Sequence, residues 1–334
     1  MNKKPSEMTD AEWQEWWDSK IKEAPASARQ AQDGGRSRRT MKDIDKIIQQ
    51  AMAIEAKEAQ EAGVLGYMCR ALAMATMPHS DTQGSEFTRR NGAFRMTMLA
   101  PSDIGLPYGS IPRLIVSWIT TEAVRTKQRE LVLGDSLSAY MEKLGMVPTG
   151  GRWGTITRLR EQIRRLLSAS VMAVYDAEDG WAHKSVQMFA DSRLWWDPKS
   201  PEQAGLWQST LTLGADFFAE VVERPIPVDM RALQALKRSP MALDIYVWLT
   251  YRFSYLKQPT VIPWPALQAQ FGAGYPDTSR GLADFRRAYR KAMAKVLAIY
   301  PAKVEDRLDG LLMRPSRTHV SKVIRLDRGD KPGG

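Results

Sequence analysis

Apolar residues recur at helical spacing in two arginine-rich stretches of this chain. Between Thr149 and Leu167, Ile156, Leu159, Ile163, Leu166 and Leu167 fall on one side of a helix, while Arg158, Arg160, Arg164 and Arg165 spread over the rest. The stretch from Thr278 to Leu297 repeats the arrangement, with Leu282, Phe285, Tyr289, Ala292 and Val296 inside and Arg280, Arg286, Arg287, Arg290 and Lys291 outside. A solvated surface helix carries the same pattern, so each helix taken singly is ambiguous. Two in matching contexts point to a protein that meets a polyanion with two heads.

The contexts do match. Phe94, Met96 and Met98 alternate with Arg95 and Thr97, which predicts a half-buried strand. A helix follows from near Ile111, carrying Leu114, Ile115, Trp118, Ile119 and Ala123 inward, and then a short strand at Glu130 to Leu133. Asp135 or Ser136 caps a helix through Leu137, Tyr140, Met141 and Leu144, ended by Gly145, before the first basic helix. Beyond it, Val171 to Trp196 reads as two strands around a turn at Ala177 to Gly180, with Gln208 to Leu213 as a third. Helix, short strand, helix, basic helix and hairpin is the order of a winged helix.

In the second half Met241 to Leu256 is the apolar helix and Thr260 to Ile262 the short strand. Pro263 to Phe271 is the next helix, and Asp277, Thr278 or Ser279 caps the basic one. A hairpin turning near Asp309 and Gly310 closes the unit.

The expected architecture is α+β and helix-rich, with two tandem winged-helix domains and a helical, partly flexible N-terminal extension. Residues 1–40 form a flexible segment with a tryptophan-rich helix, 41–91 a helical accessory region, 92–224 the first winged-helix domain, 225–326 the second, and 327–334 a disordered tail. Trp13, Trp16 and Trp17 share one stripe of the first segment and read as a partner-docking surface or as a face packed on the protein's own core. The region from Phe217 to Leu236, with Pro225 and Pro227, is the expected joint between the domains.

Composition narrows the class of partner. The 48 Lys and Arg against 38 Asp and Glu give a formal charge of +10, which favours polyanions. The single cysteine, Cys69, excludes an intrachain disulfide and a thiolate zinc site and fits a reducing cytoplasm; in packing terms it is a small hydrophobe. No stretch approaches the ~18 consecutive apolar residues of a membrane span, so neither membrane nor export is expected.

Catalytic signatures are missing. His79, His183 and His319 stand far apart and in no metal-binding spacing, and there is no phosphate-binding G-x-x-x-x-G-K-[ST] loop. Asp43 and Asp45 suit a solvated helix face, and Glu305, Asp306 and Asp309 suit a turn. The reading is therefore a binding protein, not an enzyme, with no cofactor and no metal. A helix entering the major groove reads base edges from its N-terminal half while flanking cations hold phosphates. That nominates Arg152, Thr155, Thr157, Arg158 and Arg165 on the first helix. On the second it nominates Ser279, Arg280, Ala283, Arg286, Arg287, Arg290 and Lys291, with Arg314, Arg317 and His319 on the hairpin. Tyr289 reads as core, whereas Trp153 is left open between stacking and packing.

Three blocks carry a family resemblance: LPYGSIPRLIVSWITTEAVRTKQRELVLGDSLSAYMEKLG, TGGRWGTITRLREQIRRL and STLTLGADFFAEVVERPIPVDMRALQALKRSPMALDIYVWLTYR. The chain from about Gly92 to about Thr318 resembles the plasmid-encoded RepA family of replication initiators. The resemblance implies a cytoplasmic protein that binds directly repeated duplex sites, iterons, at a plasmid origin and helps open it with the host replication initiator and replicative helicase. It also implies that the C-terminal winged helix does most of the sequence reading while the N-terminal one adds backbone contacts and dimerisation, that monomers initiate, and that a homodimer represses or couples origins. A winged-helix transcriptional repressor binding a palindromic operator as a dimer is the competing reading, because it shares the fold and the basic helices.

Overall fold

A computed structural model describes residues 65–320, apart from 75, 92–93, 135, 178–179 and 195–208. Trp13, Trp16 and Trp17, the expected helices before residue 65 and the tail lie outside the described residues.

The chain opens with strand β1 (Leu65–Met68) and a short helix α1 (Arg70–Met74), then β2 (Glu86–Asn91) and β3 (Phe94–Leu99). The apolar helix α2 (Ser110–Thr126) leads to β4 (Glu130–Gly134), α3 (Leu137–Lys143) and the first basic helix α4 (Thr155–Ser168). Ser136 starts α3 by accepting a hydrogen bond from the Ala139 amide at 3.2 Å, and Gly145, at φ 64°, ends that stretch in a conformation open to glycine. Four strands follow: β5 (Ser170–Ala177), β6 (Gly180–Val186), β7 (Phe189–Arg193) and β8 (Ser209–Leu213).

Helix α5 (Ala215–Glu223), β9 (Ile226–Asp229) and α6 (Met230–Leu236) make the joint. The second half is α7 (Pro240–Phe253), β10 (Thr260–Pro263), α8 (Trp264–Phe271), the second basic helix α9 (Ser279–Leu297), β11 (Val304–Asp306) and β12 (Gly310–Met313). Ser239 caps α7, with Pro240 in its first turn, where a missing N–H costs nothing. Thr278 caps α9 through its hydroxyl oxygen, which accepts from the Gly281 amide at 3.1 Å.

The sheets correct one expectation. The hairpin β5–β6 does not fold beside the short strand β4; it joins β2 and β3 in a four-stranded antiparallel sheet of order β2-β3-β5-β6. The strands beside β4 are β8 and β7, in the order β4-β8-β7. The second half has the same plan, β10-β12-β11. In both halves the strand between the first two helices thus pairs with the last strand of the closing hairpin, and the first half carries β5–β6 as an insertion.

The accessory region expected as helical over 41–91 contains strands in its described part. β2 is hydrogen-bonded to β3 along its length, so the boundary expected at 91/92 passes through a hairpin. β1 pairs antiparallel with β9 of the joint, in a register that runs from Leu65 opposite Asp229 to Met68 opposite Ile226. The two halves also share one continuous buried cluster running from Met68 to Met313. Polar bonds cross the same seam: Gln270 Nε2 donates to Ala73 O at 3.1 Å, and Gln234 Nε2 donates to Leu144 O at 2.8 Å.

The centre of that seam is ionic. The guanidinium of Arg113, on α2 and 3% exposed, donates to both carboxylate oxygens of Asp244, on α7, at 2.7 and 2.6 Å. Its remaining N–H groups reach Met77 O, Pro78 O and Gly109 O, so every lobe of the fork is used. His79 Nε2 meets the same carboxylate at 2.7 Å. Burial holds His79 below the usual histidine range, only partly opposed by Asp244. Burial also pushes the Asp244 carboxyl up, but Arg113 and His79 outweigh it and keep it below the ordinary carboxylate range.

Candidate nucleic-acid interface

The loop into α4 is braced by threonines. Thr155 Oγ1 donates to Val147 O at 2.6 Å and accepts from the Thr149 amide at 2.8 Å, while the Thr155 amide donates to Thr149 Oγ1 at 2.9 Å. Thr157 Oγ1 donates to Gly151 O at 2.9 Å. Both hydroxyls expected to face DNA are therefore committed to the loop, Thr155 half-buried and Thr157 at the surface. Gly154 has no alternative here, because a Cβ would collide with the carbonyl oxygens of Thr149 and Gly150.

On α4, Ile156, Leu159, Gln162, Ile163 and Leu166 are buried, and Arg158, Arg160 and Arg164 are exposed. Among the described residues these three arginines have no ion-pair partner. Arg152 is exposed with its guanidinium carbon 5.1 Å from the Trp153 ring centroid, and Trp153 is itself exposed, which settles its open reading against packing. Arg165 departs from expectation. It bonds Glu161 at 2.8 Å, contacts Asp81 and donates to Leu106 O at 3.2 Å, with its guanidinium 5.1 Å from the Tyr108 ring. Its position on the helix turns it toward the protein, where it pins the loop before α2.

Helix α9 separates its faces in the same way. Gly281, Phe285, Tyr289, Ala292, Met293 and Val296 are buried, while Ser279, Arg280, Ala283, Arg287, Arg290 and Lys291 are exposed. Arg280 and Lys291 have no ion-pair partner among the described residues. Arg287 pairs with Asp284 at 2.7 Å, Arg290 with Asp306 at 2.6 Å, and Arg314 with Glu305 at 3.5 Å. Arg286, expected on the outer face, lies half-buried over Trp264 with its guanidinium 5.0 Å from the ring centroid, and burial lowers its pKa, with Arg290 adding to the effect. It packs as much as it presents charge.

Arg317 and His319, expected on the closing hairpin, lie in the irregular chain after its last strand ends at Met313: Arg317 is exposed, whereas His319 is held inside by the Tyr246 hydroxyl at 2.8 Å and by stacking on Tyr300. The hairpin turn adds residues that the periodicity did not single out, Arg307 and the exposed Leu308. Arg160 and Arg164 are visible in the sequence as outer-face residues and add to the nominated set: Arg160 falls within the N-terminal half of the helix, and Arg164 lies beyond it.

The described residues hold no group of three metal-ligating side chains, and none of their helices is long and apolar enough to cross a membrane. The Cys69 thiol is buried, which pushes its pKa up to about 12 and leaves it protonated.

Residues 106–265 match the family model described as plasmid encoded RepA protein. Over that stretch the chain is similar to the plasmid-encoded RepA family. The RepA region takes in α2 through the start of α8, so it holds the first basic helix, the joint and both ends of the Arg113–Asp244 pair. It is narrower than the resemblance read from the sequence and stops before α9. Among solved structures, domains 2 and 3 of RctB match with 13% identity over 67% of this chain and 82% of that one, at a TM-score of 0.44. No curated protein matches the chain.

Proposed function

We propose that this protein is a plasmid replication initiator that binds duplex origin DNA through two winged-helix units and performs no catalysis of its own. The observation that carries the reading is the repeated plan: in each half a basic helix follows a helix–strand–helix run and is closed by a hairpin that pairs back onto that strand. Such a plan lets a helix enter the major groove while the hairpin lies along the backbone. The match of residues 106–265 to the RepA family model supports the assignment to plasmid replication in the cytoplasm.

In this reading Arg158, Arg160 and Arg164 of α4 and Arg280, Arg287 and Lys291 of α9 neutralise phosphates or read guanine edges. Direct repeats are the DNA, and the host replication initiator and replicative helicase are the partners. The test is a titration of the full chain against duplexes carrying the direct repeats beside its own gene, across a range of salt. Repeat duplexes should bind at least about 10³-fold more tightly than scrambled ones. Arg280→Ala with Lys291→Ala should weaken binding and reduce the salt slope by about 2, since each phosphate contact contributes roughly 0.9. Equal affinity for scrambled and repeated sequences would overturn the proposal, and a footprint on a single palindrome occupied by a dimer would favour the repressor.

A further inference from the structure

The braced loop before α4 does more than connect helices. Trp153 is 80% exposed and Val147 75%, the two highest values among the large apolar side chains of the described residues. Trp is seldom left so open on a surface, because its ring is the largest apolar group a chain can bury. The loop that presents it is not loose: the Thr149–Thr155 exchange, the Thr155 bond to Val147 O and the Thr157 bond to Gly151 O close it from three sides. Its shape therefore exists before any partner arrives.

We propose that Trp153 is a base-stacking wedge, its indole held outward to lie against a base at a kinked or unpaired step of the DNA that α4 approaches. The inference rests on the proposed DNA-binding function and names what that surface adds. Arg152 stands over one face of the indole, and so large an exposure leaves the rest of the ring to solvent. The space around Gly150 and Gly151 is open, with no atom within 4 Å of where a Cβ would stand, so a nucleic-acid backbone can come close to the main chain. The exposed charges of the loop and of α4 are Arg152, Arg158, Arg160 and Arg164 against Glu161, a setting that suits a polyanion with aromatic faces. In intact duplex those faces are occupied by neighbouring bases; where a step is opened, one becomes free, and an aromatic side chain that takes its place stabilises the opened form. A protein that must start strand separation gains from such a residue because it binds distorted DNA better than straight DNA.

The full chain and its Trp153→Ala and Trp153→Phe variants are titrated against the repeat duplex and a series with one unpaired nucleotide moved along the repeat. The wild type should prefer the unpaired nucleotide at one position by about ten-fold. Trp153→Ala should lose that preference while its affinity for the intact duplex changes by less than about three-fold, and Trp153→Phe should keep most of it. A wild type indifferent to every unpaired position, or an alanine variant that retains the preference, overturns the wedge. The latter is the result expected if the indole instead meets a partner protein. Absence of repeat-specific binding to the intact duplex by the wild type would instead overturn the functional reading, and the two failures are read from separate arms. The side chain's exposure makes misfolding of the variants an unsuitable explanation, which thermal unfolding of each checks.

Discussion

At the scale of single residues, which side of a helix a residue occupies is easier to read than what it touches there. Tyr289 is expected in the core and is fully buried among Trp264, Phe271 and Phe285, yet its hydroxyl finds no hydrogen-bond partner among the described residues. An unsatisfied buried hydroxyl is costly, so Tyr289→Phe should leave the unfolding free energy unchanged or raise it by up to about 1 kcal/mol, read by urea denaturation. A clear loss of stability would mean that the hydroxyl has a partner. Arg165 and Arg286 show why the candidate site is only partly legible. Helical periodicity assigns both to the outer side, but their environments depend on Asp81, Tyr108 and Trp264, which come from other elements of the fold. Arg158 and Arg280 need no such information, since their exposure follows from their own helices.

At the scale of elements, α2, α3, α4, α7, α8 and α9 are legible because their apolar stripes are bounded by local punctuation such as Ser136, Gly145 and Thr278, whereas α5 and α6 lie in a stretch that reads only as the joint. Strand pairing is not. Nothing local distinguishes β5–β6 from β7–β8 as the hairpin that returns to β4, because both alternate acceptably and the choice depends on where β2 and β3 lie. The loop into α4 is the element whose geometry rests most on one residue. Gly154→Ala places a methyl against the Thr149 and Gly150 carbonyls, so the turn must shift. We expect a loss of about 1–3 kcal/mol in chemical denaturation and, under the proposed function, weaker DNA binding than a change at an exposed position not nominated for contact, such as Ala294→Ser, would produce. Wild-type stability in Gly154→Ala would show that the loop yields more easily than its hydrogen bonds imply.

At the scale of the molecule, the Arg113–Asp244–His79 cluster joins the halves that carry the two basic helices. Asp244→Asn leaves the buried Arg113 charge uncompensated and should cost about 3–5 kcal/mol. The same cluster gives a pH dependence whose sign follows from His79. Its folded-state pKa lies below the ordinary 6.5, so the unfolded chain takes up the proton first. Its contribution is complete above that value and is lost as pH falls from 6.5 toward the depressed folded-state pKa. The urea midpoint should therefore drop between neutral and mildly acidic pH, and His79→Gln should flatten the drop. An equal drop in that variant would place the effect elsewhere. Asp244, also depressed, loses its contribution only at lower pH, as the carboxylate is protonated.

The pairing of β1 with β9 has a consequence for how the chain is made. Leu65 leaves the ribosome long before Asp229, its partner in the ladder. At ordinary elongation rates of roughly 5–20 residues per second, the first strand waits on the order of ten seconds or more for the other to be synthesised. During that interval its hydrogen-bonding edge and the buried faces of Met68 and Leu72 lack their native cover, so nascent chains stalled before the joint are the species most in need of a chaperone.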